Sequence, residues 1–229
     1  MKHLILIAAL MSASAAAQPR LELAGGHCQH RLAPDSSWHY GYGGYQTNMD
    51  MTPNCIQAGV SFLPFKAGDL KYGLRIAYVD LGKIKAHNTF PVDEPEYFRA
   101  RAAGDAVNSA EARYQAEGGA RGLTFGLASE YPVGPFHVGP EVGAAFLHTR
   151  WSVMLADAQK DLTPGCRGDD WACANGWKVT PYLGATVRYE WLQFTYRRYA
   201  NVHASRGGYM IGPYTGPVDA VMIGVSVPL

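Results

Sequence analysis

The chain has 229 residues and a formal net charge of +1; it is 48% hydrophobic and 17% charged, with 26 glycines and 14 tyrosines. A balance this close to neutral gives no ground for nucleic acid as a partner, and the apolar content is too high for a disordered chain. Beyond the extreme N-terminus no stretch approaches the roughly 18 uncharged apolar residues that a membrane helix needs, which excludes a multi-span helical protein. Two classes remain: a soluble all-β protein, or a barrel that hides a membrane face by alternation.

The first element in chain order reads as an export signal. Met1-Lys2-His3 is a short positive region, Leu4 to Met11 is apolar, and Ala15-Ala16-Ala17 offers a small-residue cleavage site before Gln18. Residues 1–17 are therefore expected to be a signal peptide, and residues 18–229 the mature domain. Lys2 is the only charge in the signal, so the mature chain is expected to be electrically neutral.

Eight segments with period-2 patterning follow, the signature of strands that point alternate side chains to opposite faces. Segment 20–26 sets Leu21 and Leu23 against Glu22 and Ala24, and 55–63 sets Ile56, Ala58, Val60 and Phe62 against Gln57, Gly59 and Ser61. In 70–79, Leu74, Ile76 and Tyr78 oppose Gly73, Arg75 and Ala77; in 121–131, Leu123, Phe125, Leu127 and Tyr131 oppose Thr124, Gly126, Ala128 and Glu130. Segment 136–147 sets Phe136, Val138, Val142 and Phe146 against His137, Glu141 and Gly143, and 178–189 sets Val179, Leu183, Val187 and Tyr189 against Thr180, Tyr182, Thr186 and Arg188. In 192–199, Leu192, Phe194 and Tyr196 oppose Gln193, Thr195 and Arg197; the last segment puts Val221, Ile223, Val225, Val227 and Leu229 opposite Ala220, Met222, Gly224 and Ser226.

Connections alternate as well. Pro64–Asp69, Pro132–Pro135 and Glu190–Trp191 are short; His27–Asn54, Lys83–Ala120, His148–Trp177 and Ala200–Pro217 are long. An up-and-down arrangement puts all long loops at one end and all tight turns at the other. The pattern predicts an all-β fold: an eight-stranded antiparallel up-and-down transmembrane β-barrel with four long extracellular loops, in the bacterial outer membrane. A soluble sandwich would carry more Lys and Glu on its second face, which here carries Gly, Thr and Arg. Tyr131, Phe136, Tyr189, Trp191 and Tyr199 near strand ends read as interfacial girdles.

Several runs also resemble the N-terminal eight-stranded domain of outer-membrane protein A and its short relatives. They are Tyr78-Val79-Asp80-Leu81-Gly82-Lys83, Gly122-Leu123-Thr124-Phe125-Gly126-Leu127 leading to Tyr131-Pro132, and Glu141-Val142-Gly143. Thr180-Pro181-Tyr182-Leu183-Gly184-Ala185 with Val187-Arg188-Tyr189, and the closing Ile223-Gly224-Val225-Ser226, continue the series over about residues 70–229. The chain ends in Pro228-Leu229 where that family usually ends in an aromatic. The resemblance implies an integral envelope protein that meets outer-membrane lipid, lipopolysaccharide and the barrel assembly machinery.

Charges on the second face must pair inside a lumen this narrow. Glu22 and Glu141 are expected to form a network with Arg75, Arg188 and Arg197, acting as a plug rather than a partner-exchanging gate. Glu130 is placed either in that network or at the wet periplasmic mouth. Cys28, Cys55, Cys166 and Cys173 are an even set in an exported chain; of three possible pairings, Cys28–Cys55 and Cys166–Cys173 are the simplest. His27-Cys28-x-His30 matches no standard zinc spacing, so neither a metal nor a cofactor is expected.

Loop aromatics Trp38, Tyr40, Tyr42, Tyr45 and Trp171 are candidates for contact with a host-surface or phage ligand. Glu94–Glu117, rich in Ala, Arg and Glu, reads as partly helical. His203-Ala204-Ser205 resembles the His-x-Ser pair of an outer-membrane lipid A deacylase family, with Asp219 the nearest downstream acid, although Arg206 stands where that family has Asn. The leading expectation is a monomeric, non-enzymatic envelope barrel with a surface-contact or narrow-pore role; the alternative is the deacylase.

Overall fold

The structure is a computed structural model, and it describes residues 18–32, 47–91, 111–155, 160–161, 175–202 and 215–229. Its wall is made of eight strands: β1 (Arg20–Leu32), β2 (Asn54–Ala67), β3 (Leu70–Pro91), β4 (Glu111–Val133), β5 (Phe136–Leu155), β6 (Asn175–Tyr189), β7 (Leu192–Tyr199) and β8 (Thr215–Pro228). Every strand pairs antiparallel with its sequence neighbours, and β1 closes the circle on β8 with Leu23 opposite Val225 and Cys28 opposite Ala220. Closure gives every barrel strand a partner on both sides. Two short strands add to it: Thr47–Asp50 pairs with β3 and Lys160–Asp161 with β5.

One end is drawn tight by two-residue turns at Gly68-Asp69, Gly134-Pro135 and Glu190-Trp191. In each the first turn residue lies in the left-handed region, with φ of 62° at Gly68, 57° at Gly134 and 53° at Glu190. Primed turns of this kind match the twist of the flanking strands, and glycine enters them without steric cost. Glu190 has no such freedom; its carbonyl oxygen accepts a 3.1 Å hydrogen bond from Arg188 Nη1.

The strands outgrow their sequence bounds at the other end. β3 runs on to Pro91 and β4 starts at Glu111, so much of the expected loop Lys83–Ala120 is paired wall. Expected helix within Glu94–Glu117 is contradicted over Glu111–Glu117, where the backbone pairs with β3 and β5; residues 94–110 lie outside the described set. The wall is therefore uneven: 22, 23 and 20 residues in β3, β4 and β5 against 8 in β7.

Alternation sorts side chains as the apolar periodicity requires. Leu23, Ile56, Leu74, Ile76, Leu123, Phe125, Leu127, Val142, Leu183, Phe194 and Ile223 all point outward and are exposed. Burying them against an apolar surround is favourable by roughly 1.5–3 kcal/mol for each large side chain, and water offers no such surround. Aromatic pairs bound this belt: Phe65 stacks on Tyr72 at 5.4 Å and Phe136 packs on Tyr189 at 5.5 Å near the turns, while Phe146 stacks on Trp177 at 4.8 Å near the long-loop end. Ten residue steps from Phe136 to Phe146, at about 3.3 Å each and tilted by roughly 40°, give a belt about 25 Å tall.

Tyr199 departs from the girdle expected of it. It shares its parity with Arg197 rather than with Tyr196, and it is fully buried inside the barrel.

Candidate functional site

The lumen is filled in two layers of different chemistry. Nearer the turns lies the charged one. Arg75 on β3 places Nε 2.9 Å and 3.2 Å from the two carboxylate oxygens of Glu22 on β1. Its Nη1 donates to Glu141 Oε2 at 2.7 Å and to Thr186 Oγ1 at 3.1 Å. From the opposite wall, Arg197 on β7 lays Nη2 3.0 Å from both oxygens of Glu141, and its Nη1 donates to Gln57 Oε1. Tyr182 donates its hydroxyl hydrogen to Glu141 Oε1. Arg75, Arg197, Glu22 and Glu141 are all essentially excluded from solvent.

Two guanidinium groups thus balance two carboxylates, and Glu141 is the shared acceptor. Inside a low-dielectric lumen charge balance is the first requirement, because a lone buried charge costs several kcal/mol; Glu22 Oε2 and Gln57 Nε2 are buried without a hydrogen-bond partner among the described residues. The members come from the inward parity of six strands: β1, β3, β5 and β7 supply one charge each, β2 supplies Gln57, and β6 supplies Tyr182 and Thr186.

Arg188 is not part of this set. It was expected beside Glu22 and Glu141, but its Nη2 donates to Glu130 Oε2 at 2.7 Å, and its Nε donates to Glu130 Oε1 at 3.3 Å. The cause is position: Arg188 sits one residue before the β6–β7 turn, and Glu130 lies just before Tyr131-Pro132, so the pair closes the turn end of the lumen. Glu130 is consequently a partnered residue in its own second pair. Arg20 completes that end, with Nε donating to Ser226 Oγ at 2.9 Å and Nη2 to its carbonyl oxygen at 2.6 Å.

The second layer, toward the long loops, is largely apolar, with the buried His30 imidazole 2.9 Å from the Leu81 carbonyl oxygen. Cys28 and Cys55 are joined by a disulfide across β1 and β2, and around it pack Val79, Leu81, Ala120, Ala145, Leu147, Val202, Val218, Ala220 and Met222. The rings of Tyr182 and Tyr199 meet at 5.5 Å on the border between the layers, with the Arg197 guanidinium 5.3 Å over Tyr182. Sequence reasoning missed this cap because Ala, Val and Met on the inward parity read as small lumen fillers beside larger outward neighbours. Cys166 and Cys173 lie outside the described residues.

Outside the belt, at its long-loop edge, cations replace the apolar residues: Arg31 on β1, Lys83 on β3, Arg121 on β4, Arg150 on β5 and Arg198 on β7 all face outward and are exposed. Asp219, the acid of the deacylase alternative, belongs to this edge. Its Oδ2 lies 2.9 Å from Arg31 Nη2, and its Oδ1 accepts from the Tyr196 hydroxyl at 2.8 Å with Arg198 Nη1 at 3.7 Å. Both oxygens are already engaged by cations and a phenol. His203 and Ser205 lie outside the described residues, as do Trp38, Tyr40, Tyr42, Tyr45 and Trp171. Among the described residues no cluster of His, Cys, Asp and Glu has the arrangement of a metal site.

No protein-family model and no curated protein sequence matches the chain. Solved structures do. Neisserial surface protein A is similar with a TM-score of 0.41 at 11% identity, covering 92% of this chain and 97% of that one. Ail, the attachment invasion locus protein of Yersinia pestis, solved in complex with the heparin analogue sucrose octasulfate, is similar with a TM-score of 0.42 at 8% identity, covering 93% of this chain and 99% of that one.

Proposed function

We propose that residues 18–229 form a monomeric integral barrel of the bacterial outer membrane, of the outer-membrane protein A kind, exported on residues 1–17 and inserted by the barrel assembly machinery. One observation carries the reading: an outward apolar belt about 25 Å tall, bounded by aromatic pairs, on a closed wall whose charges within the height of the belt point inward. A soluble protein would not leave Leu127, Val142, Val179 and Ile223 each more than half exposed on one continuous surface.

The barrel is a non-conducting, non-enzymatic envelope component. Its lumen is blocked twice, by a neutralised charge network and by an apolar cap, and an ion entering the cap would have to shed its water without replacement. What it offers the outside is the ring of long loops. Surface contact, with a host-surface or phage ligand as the class of partner, is the role we assign to them on the strength of the aromatic residues of loops one and three.

Fractionation of cells with heat-modifiable migration on a gel tests the placement. The folded chain is expected with outer membranes; a fully folded protein recovered in the soluble periplasmic fraction rejects it.

A further inference from the structure

The outer wall of β3, β4 and β5 carries a cleft of about 390 Å³ at the upper edge of the belt, lined by Asp80, Lys83, Glu117, Arg121, His148 and Arg150 over a glycine floor. Register explains its shape. Asp80, Arg121, His148 and Trp177 lie opposite one another across four strands, and in the row above Lys83 faces Gly119, which faces Arg150. Lys83 and Arg150 are thus separated by two strand spacings, about 10 Å, with no side chain between them.

The floor is enforced by backbone contact. A Cβ on Gly119 would lie 2.5 Å from the carbonyl oxygen of Gly82. Gly82 itself has φ of 77°, and a Cβ there would lie 2.3 Å from the carbonyl oxygen of Asn54. A bulge between Asp80 and Lys83 creates this close approach and turns Lys83 outward.

Charges in the cleft do not cancel. Lys83 Nζ pairs with Glu117 Oε1 at 2.8 Å, and Asp80 Oδ1 accepts the Gly82 N–H at 2.9 Å. Arg121 and Arg150 have no ion-pair partner among the described residues. Three permanent cations line the cleft with two carboxylates, and both arginines are exposed.

Trp177 lies beside the cleft in the His148 row, its ring met edge-on by His148 at 5.1 Å, and Phe146, one step below, stacks on it at 4.8 Å. Aromatic pairs of this kind mark the depth at which acyl chains give way to polar headgroups. The cleft therefore opens at headgroup level and faces along the membrane plane. A guanidinium recognises phosphate oxygens by paired N–H donors, and two of them here flank a side-chain-free floor.

We propose that this cleft is a binding site for a phosphate group borne by an outer-leaflet glycolipid, held by Arg121 and Arg150 with Lys83 at its margin. The assignment rests on the outer-membrane reading above and names a lipid site within it. Soluble phosphate shares the chemistry but not the placement, since a dissolved anion has no reason to be met at the boundary of an apolar belt.

The test uses the full folded chain in phosphatidylcholine nanodiscs, with bilayer insertion checked first by heat-modifiable migration. Lipid A carrying its phosphates, lipid A stripped of them, and inorganic phosphate are each added, and bound glycolipid is counted by native mass spectrometry. Phosphorylated lipid A is expected to bind about tenfold more tightly than the stripped form. That preference is expected to vanish in Arg121→Gln/Arg150→Gln, to fall in Arg150→Gln alone, and to survive Lys66→Gln at the opposite end. Equal preference in the wild-type chain and the Arg150→Gln variant overturns the site. Displacement of lipid A by equimolar inorganic phosphate overturns the lipid source. A wild-type chain that fails to enter bilayers indicts the membrane reading instead, so the two failures are told apart.

Discussion

Tyr182 belongs to both layers of the lumen at once: its hydroxyl donates to Glu141 while its ring packs among the apolar cap residues. The phenol is thus the joint between a charged layer and a dry one. Removing only the hydroxyl separates those roles. Tyr182→Phe keeps the ring and is expected to cost about 1–3 kcal/mol, because Glu141 loses a donor it cannot replace from water. Urea unfolding of the barrel in detergent micelles measures it; an unchanged midpoint shows that Glu141 is satisfied by its two arginines alone.

Arg75 links Glu22 to Glu141, and Arg75→Ala leaves Glu22 without the one ion-pair partner it has among the described residues, in a sealed lumen. Breaking one side of a buried pair is expected to cost about 3–5 kcal/mol. The same variant is expected to remain electrically silent in planar bilayers, since the apolar cap still stands above the gap. Steady single-channel steps from Arg75→Ala or Glu141→Ala would show that the charges, not the cap, close the barrel.

The Cys28–Cys55 bridge is buried among apolar neighbours, with Cys28 wholly inaccessible. A thiolate reductant needs access to sulfur, so dithiothreitol is expected to leave the bridge intact in the folded barrel and to cleave it once urea has opened the chain. Alkylation followed by mass spectrometry reads both states. With both residues changed to alanine, stability is expected to fall by about 2–4 kcal/mol.

Glu190 occupies a turn position that Gly68 and Gly134 fill in the other two hairpins. A left-handed backbone costs a non-glycine residue about 1–2 kcal/mol, part of which glycine returns through its greater freedom in the unfolded chain. Glu190→Gly is therefore expected to raise stability by about 0.5 kcal/mol, visible as a slightly higher urea midpoint; a drop would mean the Glu190 side chain contributes more than its backbone costs.

For the deacylase alternative, Ser205→Ala decides. Mass spectrometry of lipid A from cells making the wild-type chain or the variant is expected to show identical acyl patterns. Loss of one acyl chain with the wild-type protein only would establish catalysis.

The outward face was legible because large apolar residues contrast with small or polar neighbours along most strands. Legibility ended where contrast or period failed. At Asp80–Lys83 a bulge shifts the parity, so a reading by alternate residues stopped at Val79 and missed a dozen residues of β3, up to Pro91. Between Phe62 and Phe65 a second irregularity hid the last residues of β2. The apolar cap was lost for the other reason: Met222 and Ala220 alternate with Val221 and Ile223, and two apolar faces give no contrast to read. The partners of the inward charges were only half recoverable, since strand tilt decides that Arg188 meets Glu130 while Arg197 meets Glu141.

The unequal height of the wall gives a nearly round molecule a front and a back. From Lys83 to Pro91 the paired backbone of β3 adds eight steps, on the order of 26 Å of strand, whereas β7 on the opposite wall ends at Tyr199. Whatever approaches that flank meets a ridge of paired backbone. Substitutions on the ridge therefore alter the surface that is met first on that flank. A protein of this form can change its outward character on one flank and leave the seal beneath untouched.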